Sequence, residues 1–247
     1  MKNHSDVYGH LDMVSGSAKK EIPNQVRNDK VEIYKIDGVG INLEKFYPVK
    51  SEEEKNLLRS KLGYGSEDFI LIYTAEFIPR KNHKLLFDIL PDLKAKIPSL
   101  KVILCGKGEL LEHYKYFAAQ NKMNYVTFTG YTKEVADYCR ISDVLVMPSH
   151  QEGLPLSMIE SIATGLPVVA SKIRGHTDVI EDCVNGFLFC EYDSSGFAKA
   201  IYTLYKNPSL RTEMGKRSVI EAQKYSVDIA VNNMSKIYDP IISKLLL

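Results

Sequence analysis

The sequence predicts an α/β protein built on a Rossmann-like, doubly wound parallel sheet, and two observations support this. Short β-branched runs alternate with longer amphipathic stretches from Val31 onward. Several runs, such as Phe69–Tyr73 and Val144–Met147, are continuously apolar, which is typical of strands buried on both faces. Alternating strands and helices with burial on both faces indicate a parallel sheet covered by helices. The right-handed crossover rule then makes the sheet doubly wound.

The predicted elements follow from periodicity and from the residues that stop each run. In His83–Lys96, apolar residues recur at spacings of three and four and form one stripe. Gly165 and Pro167 end one helix, and Asn207-Pro208 separates two others. Strands are predicted at Val31–Ile36, Phe69–Thr74, Lys101–Cys105, Tyr125–Thr129, Val144–Met147, Val168–Ala170 and Phe187–Phe189. Helices are predicted at Glu52–Leu62, His83–Lys96, Glu109–Lys122, Lys133–Ile141, Leu156–Thr164, Ser194–Lys206, Ser209–Lys224 and Val227–Leu247.

The chain divides into three predicted parts. Residues 1–30 show no sustained helix or strand periodicity and are rich in polar residues. We expect them to form a poorly ordered N-terminal tail. The Rossmann-like domain is predicted over residues 31–225, and residues 226–247 are predicted as a separate C-terminal helix.

Composition excludes several functional classes. The chain has 247 residues, 45% hydrophobic and 26% charged, which excludes disorder and collagen-like repeats. A formal charge of +1 provides no basic field for nucleic acid. No apolar run is long enough for a membrane span or a signal-peptide core, which favours a cytoplasmic protein. The four cysteines form no CxxC pair, so a metal or redox site at Cys183 and Cys190 is disfavoured and no metal is expected.

Ligands of such sheets bind beyond the carboxyl ends of the strands, so the strand-to-helix loops carry the candidate site. The loop at residues 148–155 follows the strand Val144–Met147 and enters a helix. Gly153 is expected to permit a tight backbone path there, and Pro155 suits a first helical turn. An anion site suited to a phosphate is therefore predicted at the free amides of the helix start. These amides belong to Leu154, Leu156 and Ser157.

Two glutamates bracket this turn. A carboxylate beside a phosphate is repelled by it, so Glu152 is predicted to accept hydrogen bonds from hydroxyl groups. Glu160 lies in an otherwise apolar segment, where an unpaired carboxylate is costly. A vicinal diol such as a ribose would supply two donors to it. On this local pattern, a capping or surface role for Glu160 is an equal alternative.

A second loop, residues 76–83, places Arg80 and Lys81 after the strand Phe69–Thr74. Two adjacent cations at that position can clamp a phosphate, although a solvated surface pair is the commoner fate of an Arg-Lys dipeptide. The Gly106-Lys107-Gly108 sequence lacks the last glycine of a dinucleotide-binding motif, so it predicts only a tight turn.

A series of ordered motifs runs through the chain. Residues 152–160 read E-G-L-P-L-S-M-I-E. The others are D-G-V-G-I-N-L-E-K-F at 37–46, P-R-K-N-H at 79–83, G-K-G-E-L at 106–110, S-D-V-L-V-M-P-S at 142–149, A-T-G-L-P-V-V-A-S at 163–171, I-R-G-H-T-D-V-I at 173–180 and N-G-F-L-F at 185–189. Together they resemble glycosyltransferase family 4, whose retaining GT-B enzymes carry an E-x7-E element similar to residues 152–160. The resemblance covers about residues 31–225 and implies one half of a GT-B fold, the half that binds the nucleotide sugar.

The resemblance also implies roles for the candidate residues. Lys81 would contact the diphosphate of the donor, and Glu152 would hold sugar hydroxyls near the reacting carbon. Glu160 would hold the ribose. The amides that follow Gly153 would meet the diphosphate, and the loop that contains Tyr131 would lie near the base.

Two features depart from the family pattern. Many members have an arginine where Glu76 stands, so one diphosphate cation is absent here or is supplied by Arg80. The family also carries an acceptor-binding domain before the motif at 37–46, where this chain has about 36 residues. We therefore expect a truncated or split chain that lacks its acceptor domain or subunit. The last helix, which in the family crosses back to that domain, would then be without cover.

The implied function is that of a glycosyltransferase donor domain. It would bind a nucleoside diphosphate sugar, such as a UDP-sugar, for retaining transfer of a hexose to a hydroxyl acceptor in surface polysaccharide synthesis. No metal or other cofactor is expected, and a lipid-linked acceptor would place the protein at the inner face of the membrane. The main alternative is a non-catalytic nucleotide-sugar-binding subunit that needs a separate acceptor-domain partner. An epimerase or a phosphorylase on the same architecture is the rival among enzymes.

Overall fold

The computed structural model describes residues 40–245, with side chains up to residue 243, and its centre is a six-stranded sheet. The strands are β1 (Phe69–Thr74), β2 (Leu100–Cys105), β3 (Val126–Gly130), β4 (Val144–Met147), β5 (Val168–Ser171) and β6 (Gly186–Phe189). The helices are α1 (Glu52–Lys61), α2 (His83–Lys96), α3 (Leu111–Gln120), α4 (Val135–Ile141), α5 (Leu156–Ala163), α6 (Ser194–Lys206), α7 (Pro208–Gln223) and α8 (Val227–Leu245).

The sheet has the predicted doubly wound topology. Its strand order is β3-β2-β1-β4-β5-β6, and every neighbouring pair is parallel. After β3 the chain returns to the other side of β1, so β1 and β4 are neighbours in the sheet although β2 and β3 lie between them in the sequence. This reversal leaves a crevice beyond the carboxyl ends of β1 and β4, which is where sheets of this type bind ligands.

The burial pattern explains why the elements could be predicted. Four consecutive residues of β1, Ile70–Tyr73, are fully buried, as is all of β4. Two-sided burial of this kind requires the continuous apolar runs on which the sequence prediction rests. The apolar stripe of α2 is buried as expected.

Predicted and observed element ends differ by one or two residues. The helix predicted from Glu109 begins at Leu111, because the amide of Leu111 bonds to the carbonyl of Gly108 in a preceding turn. The helix predicted from Lys133 begins at Val135, after the Thr132 hydroxyl accepts the Glu134 amide. The predicted strand at 31–36 and the predicted tail at 1–30 lie outside the described residues.

The start of the described segment meets the chain at the beginning of α8. The amide of Ile41 donates to the carbonyl of Tyr225 at 2.7 Å, and the amide of Val227 donates to the carbonyl of Ile41 at 3.0 Å. Beyond this junction, α8 carries a series of exposed apolar side chains. These belong to Val227, Ile229, Val231, Met234, Tyr238, Ile241 and Ile242. Within residues 40–245, the helices are too short or too polar to traverse a bilayer.

Candidate functional site

The loops after β1 and β4 bring three predicted site residues together. The ammonium of Lys81 lies 2.5 Å from Oε1 of Glu152, and Nη1 of Arg80 lies 3.5 Å from Oε2. The Lys81 and Glu152 side chains are only 12% and 6% exposed, whereas Arg80 is 47% exposed. Two cations share one carboxylate, so the cluster keeps a net positive charge and favours an anion. The alternative of a solvated Arg-Lys surface pair is wrong for Lys81.

The Lys81 loop has a defined shape because of its sequence. Pro79 opens a single 3-10 turn, Pro79–Lys81, and Asn82 follows in the left-handed region with φ of 51°. Asparagine tolerates this conformation better than most residues. The Asn82 amide group donates to the carbonyls of Pro148 and Glu191, at 3.0 Å each. Asn82 therefore ties the Lys81 loop to two neighbouring loops, a role that sequence analysis did not assign to it.

A buried hydroxyl pair supports Glu152. The Ser149 hydroxyl donates to Oε1 of Glu152 at 2.8 Å, and the Tyr73 hydroxyl lies 3.0 Å from that of Ser149. The Tyr73 hydroxyl also donates to the carbonyl of Lys81 at 2.7 Å. Burial raises the pKa of Tyr73 above its usual value, so the phenol stays neutral and can donate. Neither residue was predicted to have a role in the site, because Tyr73 belongs to a buried strand and Ser149 comes directly after another.

The start of α5 offers the predicted free amides. Pro155 precedes the helix, and no side chain caps it. No acceptor among the described residues takes the amides of Leu156 and Ser157, or that of Leu154 before them. These amides and the positive end of the helix dipole face the ligand side of the loop.

Gly153 was expected to permit a tight backbone path, and the structure contradicts that reason for a glycine. Its backbone lies outside the left-handed region, so the path through it does not require glycine. A Cβ added at Gly153 would meet no protein atom within 4 Å. Open space therefore lies beside the free amides, and a ligand can approach the backbone closely at this point.

Glu160 lies one helical turn further along α5. Its side chain is half-buried and makes no hydrogen bond or ion pair with the other described residues. Burial raises the pKa of Glu160, and nearby Lys45 opposes this increase. The capping-box alternative is wrong, since a capping-box glutamate is the third residue of a helix, a position that Met158 occupies in α5, and no side chain caps this helix.

Tyr131 lies in the loop after the edge strand β3, two strands away from β1. Its ring is 77% exposed, and the Lys107 ammonium lies 5.8 Å from the ring centroid. The tight turn predicted at Gly106-Lys107-Gly108 is wrong in its position: Gly106 and Lys107 lie outside any turn, and the turn follows them at residues 109–110, where the amide of Leu111 donates to the carbonyl of Gly108. A Cβ at Gly106 would lie only 1.9 Å from the carbonyl oxygen of Ala75, so this segment must pack closely against the chain after β1.

Metal-ligating side chains do not cluster in the part of the chain that the structure describes. No three His, Cys, Asp or Glu residues are grouped there so as to hold an ion. Cys105 and Cys139 are buried, and Cys183 and Cys190 are exposed free thiols. Cys105 packs in the core as the small hydrophobe that its strand position predicts.

His83 lies directly behind the Lys81 loop. It is 1% exposed, its ring stacks on Phe77 at 4.2 Å between centroids, and the Tyr73 ring lies 4.8 Å away. Neither ring nitrogen has a hydrogen-bond partner among the described residues. Burial, with a smaller contribution from Lys81, lowers the pKa of His83 to about 3. The ring is therefore a neutral aromatic spacer under the loop.

Replacing His83 with phenylalanine should reduce the loss of stability in acid. The unfolded chain takes up a proton near pH 6.5 and the folded chain only near pH 3, so folding weakens as pH falls through this window. One such group costs about 1.4 kcal/mol per pH unit, or about 2 kcal/mol between pH 6.5 and 5. Urea unfolding of wild type and His83→Phe at these two pH values measures the difference. Equal losses in the two proteins would contradict the neutral state of His83.

Comparisons with known proteins relate the chain to one family. Residues 54–219 match the family model described as "Glycosyl transferases group 1". The chain is 37% identical over 205 residues to the "Putative glycosyltransferase EpsD" of Bacillus subtilis, which covers 83% of this chain and 54% of that protein. It is 28% identical over 166 residues to the "UDP-Gal:alpha-D-GlcNAc-diphosphoundecaprenol alpha-1,3-galactosyltransferase" of Escherichia coli. That match covers 66% of this chain and 42% of that protein. The chain spans about half the length of the curated relatives it matches.

Solved structures share the fold. HepE of Anabaena, crystallised with UDP and glucose, superposes with a TM-score of 0.71 at 23% identity, covering 85% of this chain and 56% of that one. The C-terminal domain of the group 1 glycosyl transferase LpcC of Francisella tularensis superposes with a TM-score of 0.66 at 20% identity. This match covers 74% of this chain and 97% of that domain. These likenesses confirm the predicted fold class, a Rossmann-like sheet that forms one half of a GT-B fold.

Proposed function

The chain belongs to the glycosyl transferases group 1 family, and we propose that it binds a nucleoside diphosphate sugar at the loops after β1 and β4. One observation carries this proposal. The net positive cluster of Arg80, Lys81 and Glu152 lies at the switch point of the sheet, and Glu152 is on the loop that leads to the uncapped start of α5. Cationic side chains and free helix amides are the groups that bind phosphates in proteins.

The site offers separate partners to each part of such a donor. Lys81 and the amides of Leu156 and Ser157 take the diphosphate, with the open space at Gly153 admitting it. Oε1 of Glu152 already accepts from two protein groups, whereas Oε2 has only the long contact to Arg80. Oε2 is therefore the atom that accepts sugar hydroxyls.

The nucleoside part has two further partners. Glu160, half-buried without a partner in the described chain, takes the ribose hydroxyls, which would satisfy a carboxylate that burial otherwise penalises. The exposed ring of Tyr131 provides a stacking surface for the base.

The proposed reaction is retaining transfer of a hexose to a hydroxyl acceptor without a bound metal. Negative charge develops on the leaving diphosphate, where Lys81 and the α5 amides stabilise it. The Escherichia coli relative is named as a galactosyltransferase that acts on a diphosphoundecaprenol-linked sugar. This name supports a lipid-linked acceptor in surface polysaccharide synthesis. An acceptor-binding domain or subunit supplied from elsewhere would complete the site.

A second candidate is a non-catalytic nucleotide-sugar-binding subunit with a separate acceptor-domain partner. The exposed apolar side chains of α8, which leaves the sheet at the junction of Ile41 and Val227, favour it. Turnover of the nucleotide sugar with and without an alcohol acceptor, measured on this chain joined to an acceptor-binding half, separates the possibilities. An epimerase would act without acceptor, a transferase only with it, and a binding subunit in neither case.

Titration calorimetry with UDP, UDP-glucose, UDP-galactose and UDP-N-acetylglucosamine tests the binding step. We expect heat from UDP with the wild type and a weakening of tenfold or more in Lys81→Met, because one charge-assisted phosphate contact is lost. Absence of binding to all four compounds, and to the corresponding GDP and ADP compounds, would count against the assignment.

Substituting the two glutamates should separate nucleotide from sugar recognition. Glu160→Ala is expected to weaken UDP binding about 10- to 150-fold, since hydrogen bonds to a charged group contribute about 1.5–3 kcal/mol. Glu152→Ala should leave UDP affinity at or above wild type, because it removes a negative charge beside Lys81, but should abolish the gain in affinity that the sugar provides. Calorimetry of both variants with UDP and the bound UDP-sugar measures this.

The control for both is Glu112→Ala, which removes an exposed glutamate of α3. It should bind both ligands like wild type. Wild-type binding of both ligands by Glu152→Ala and Glu160→Ala alike would show that neither carboxylate has the proposed role.

A further inference from the structure

A layer of fully buried polar residues lies behind Glu152. Nδ1 of His176 lies 2.9 Å from the carbonyl oxygen of Ser171. The Ser171 hydroxyl donates to the carbonyl of Ser149 at 2.5 Å, and the Ser149 hydroxyl donates to Oε1 of Glu152 at 2.8 Å. Three hydrogen bonds therefore run in sequence from His176 to the Glu152 carboxylate.

The backbone of residues 171–177 packs directly against the loop that contains Glu152. Gly175 is in the left-handed region with φ of 89°, and a Cβ there would lie 1.9 Å from the carbonyl oxygen of Gly153. The segment 171–177 and the loop 149–153 are thus in direct contact at both ends, through Ser171 and through Gly175. Movement of one displaces the other, because packed segments transmit such shifts.

The hydrogen-bond partner of Nδ1 fixes the protonation state of the His176 imidazole. A carbonyl oxygen only accepts, so Nδ1 of His176 must carry the proton. Burial lowers the pKa of His176, which keeps the ring neutral, while the Ser171 carbonyl and Glu152 act in the opposite direction and Lys81 reinforces the decrease. Nε2 is then a bare acceptor with no partner among the described residues.

We propose that His176 is a positioning residue for sugar recognition: its Nδ1–H holds the Ser171 backbone and, through Ser171 and Ser149, sets the carboxylate of Glu152. This inference rests on the proposed function, in which Glu152 accepts sugar hydroxyls. A carboxylate must stay close to its productive geometry to discriminate hydroxyl positions, and buried hydrogen bonds of this kind provide that constraint. The positioning role requires the hydrogen bond that Nδ1 donates to the Ser171 carbonyl, and it requires no bond from Nε2.

Two variants separate the nitrogens. The side-chain NH₂ of asparagine lies at the same position along the chain as Nδ1, so His176→Asn keeps the bond to Ser171. His176→Gln places its NH₂ near Nε2 instead, and His176→Leu removes both groups. We expect the ratio of UDP-sugar to UDP affinity to fall tenfold or more in His176→Leu and His176→Gln, and by less than threefold in His176→Asn. UDP affinity itself should change little in the three variants.

Hydrogen–deuterium exchange provides a readout that needs no ligand. The peptide covering residues 149–157 should exchange at least tenfold faster in His176→Leu than in wild type, and at the wild-type rate in His176→Asn. Ser171→Ala should reproduce the leucine variant, since it removes the next bond in the series. Thermal unfolding of each variant verifies that it is folded.

The outcomes decide between the claims. Unchanged exchange and an unchanged affinity ratio in His176→Leu would overturn the positioning role, even if UDP-sugars bind well. Rescue by glutamine rather than asparagine would also overturn it, because Nε2 would then be the active nitrogen. A wild type that binds no nucleotide but shows the expected exchange pattern would contradict the proposed function and the sugar-recognition role, leaving only the support of the Glu152 loop.

Discussion

The purified 247-residue chain is expected to transfer sugar to an alcohol acceptor about 10⁵-fold more slowly than a protein in which an acceptor-binding half is also present. The reason is orientation. Holding the acceptor hydroxyl against the anomeric carbon supplies about 7–11 kcal/mol of barrier reduction in well-organised sites. The contacts proposed for the described residues are contacts to the donor, and the chain spans about half the length of its curated relatives. Bound donor would at most be hydrolysed slowly.

A chimera tests this expectation. The part of the Bacillus subtilis relative that this chain does not match is joined before residue 40, ahead of the junction between Ile41 and the start of α8. Product formed from a UDP-sugar and an alcohol acceptor is measured by mass spectrometry for the chain and the chimera, with and without EDTA. Anomeric configuration of the product is read by NMR. Rapid transfer by the purified monomer alone would contradict the expectation, and a loss of chimera activity in EDTA would contradict metal-independent transfer.

The sequence predicted the sheet well because its signals are local. Two-sided burial of β1 and β4 leaves continuous apolar runs, and the stops at Gly165 and Asn207-Pro208 mark helix ends directly. Once these elements are assigned, parallel pairing and right-handed crossovers leave few topologies. The loops that follow β1 and β4 could therefore be identified as the site without any three-dimensional information.

The contacts within the site could not be predicted in the same way. Lys81 and Glu152 were assigned to different parts of the ligand, and their direct pairing depends on how two loops separated by about 70 residues approach each other. Tyr73 lies in an apolar strand and His176 in a polar loop, and neither local sequence indicates that the side chain is hydrogen-bonded in a series that ends at Glu152. No periodicity signals a hydrogen bond between distant buried groups, so only their three-dimensional arrangement identifies them.

Asp143 illustrates the same limit in a structural role. The sequence presents it only as part of the motif at 142–149, next to the strand that leads to the site. In the structure it lies at the opposite end of that strand, where its carboxylate accepts from the amide of Ile70, from Arg59 and from Lys55, each at 2.8 Å. It thereby joins α1 to the starts of β1 and β4.

Replacing Asp143 with alanine should lower the free energy of unfolding by about 3–5 kcal/mol, because it leaves a buried guanidinium without its carboxylate. The Asp143 and Arg59 side chains are only 9% and 5% exposed, so the pair is largely removed from solvent. Asp143→Asn keeps one oxygen for the Ile70 amide and should lose less. Asp88→Ala, which breaks the exposed pair with Lys84, serves as the control and should change stability by less than about 1 kcal/mol. Urea unfolding near pH 7 measures all three, and equal losses for Asp143→Ala and Asp88→Ala would show that the buried carboxylate does not anchor α1.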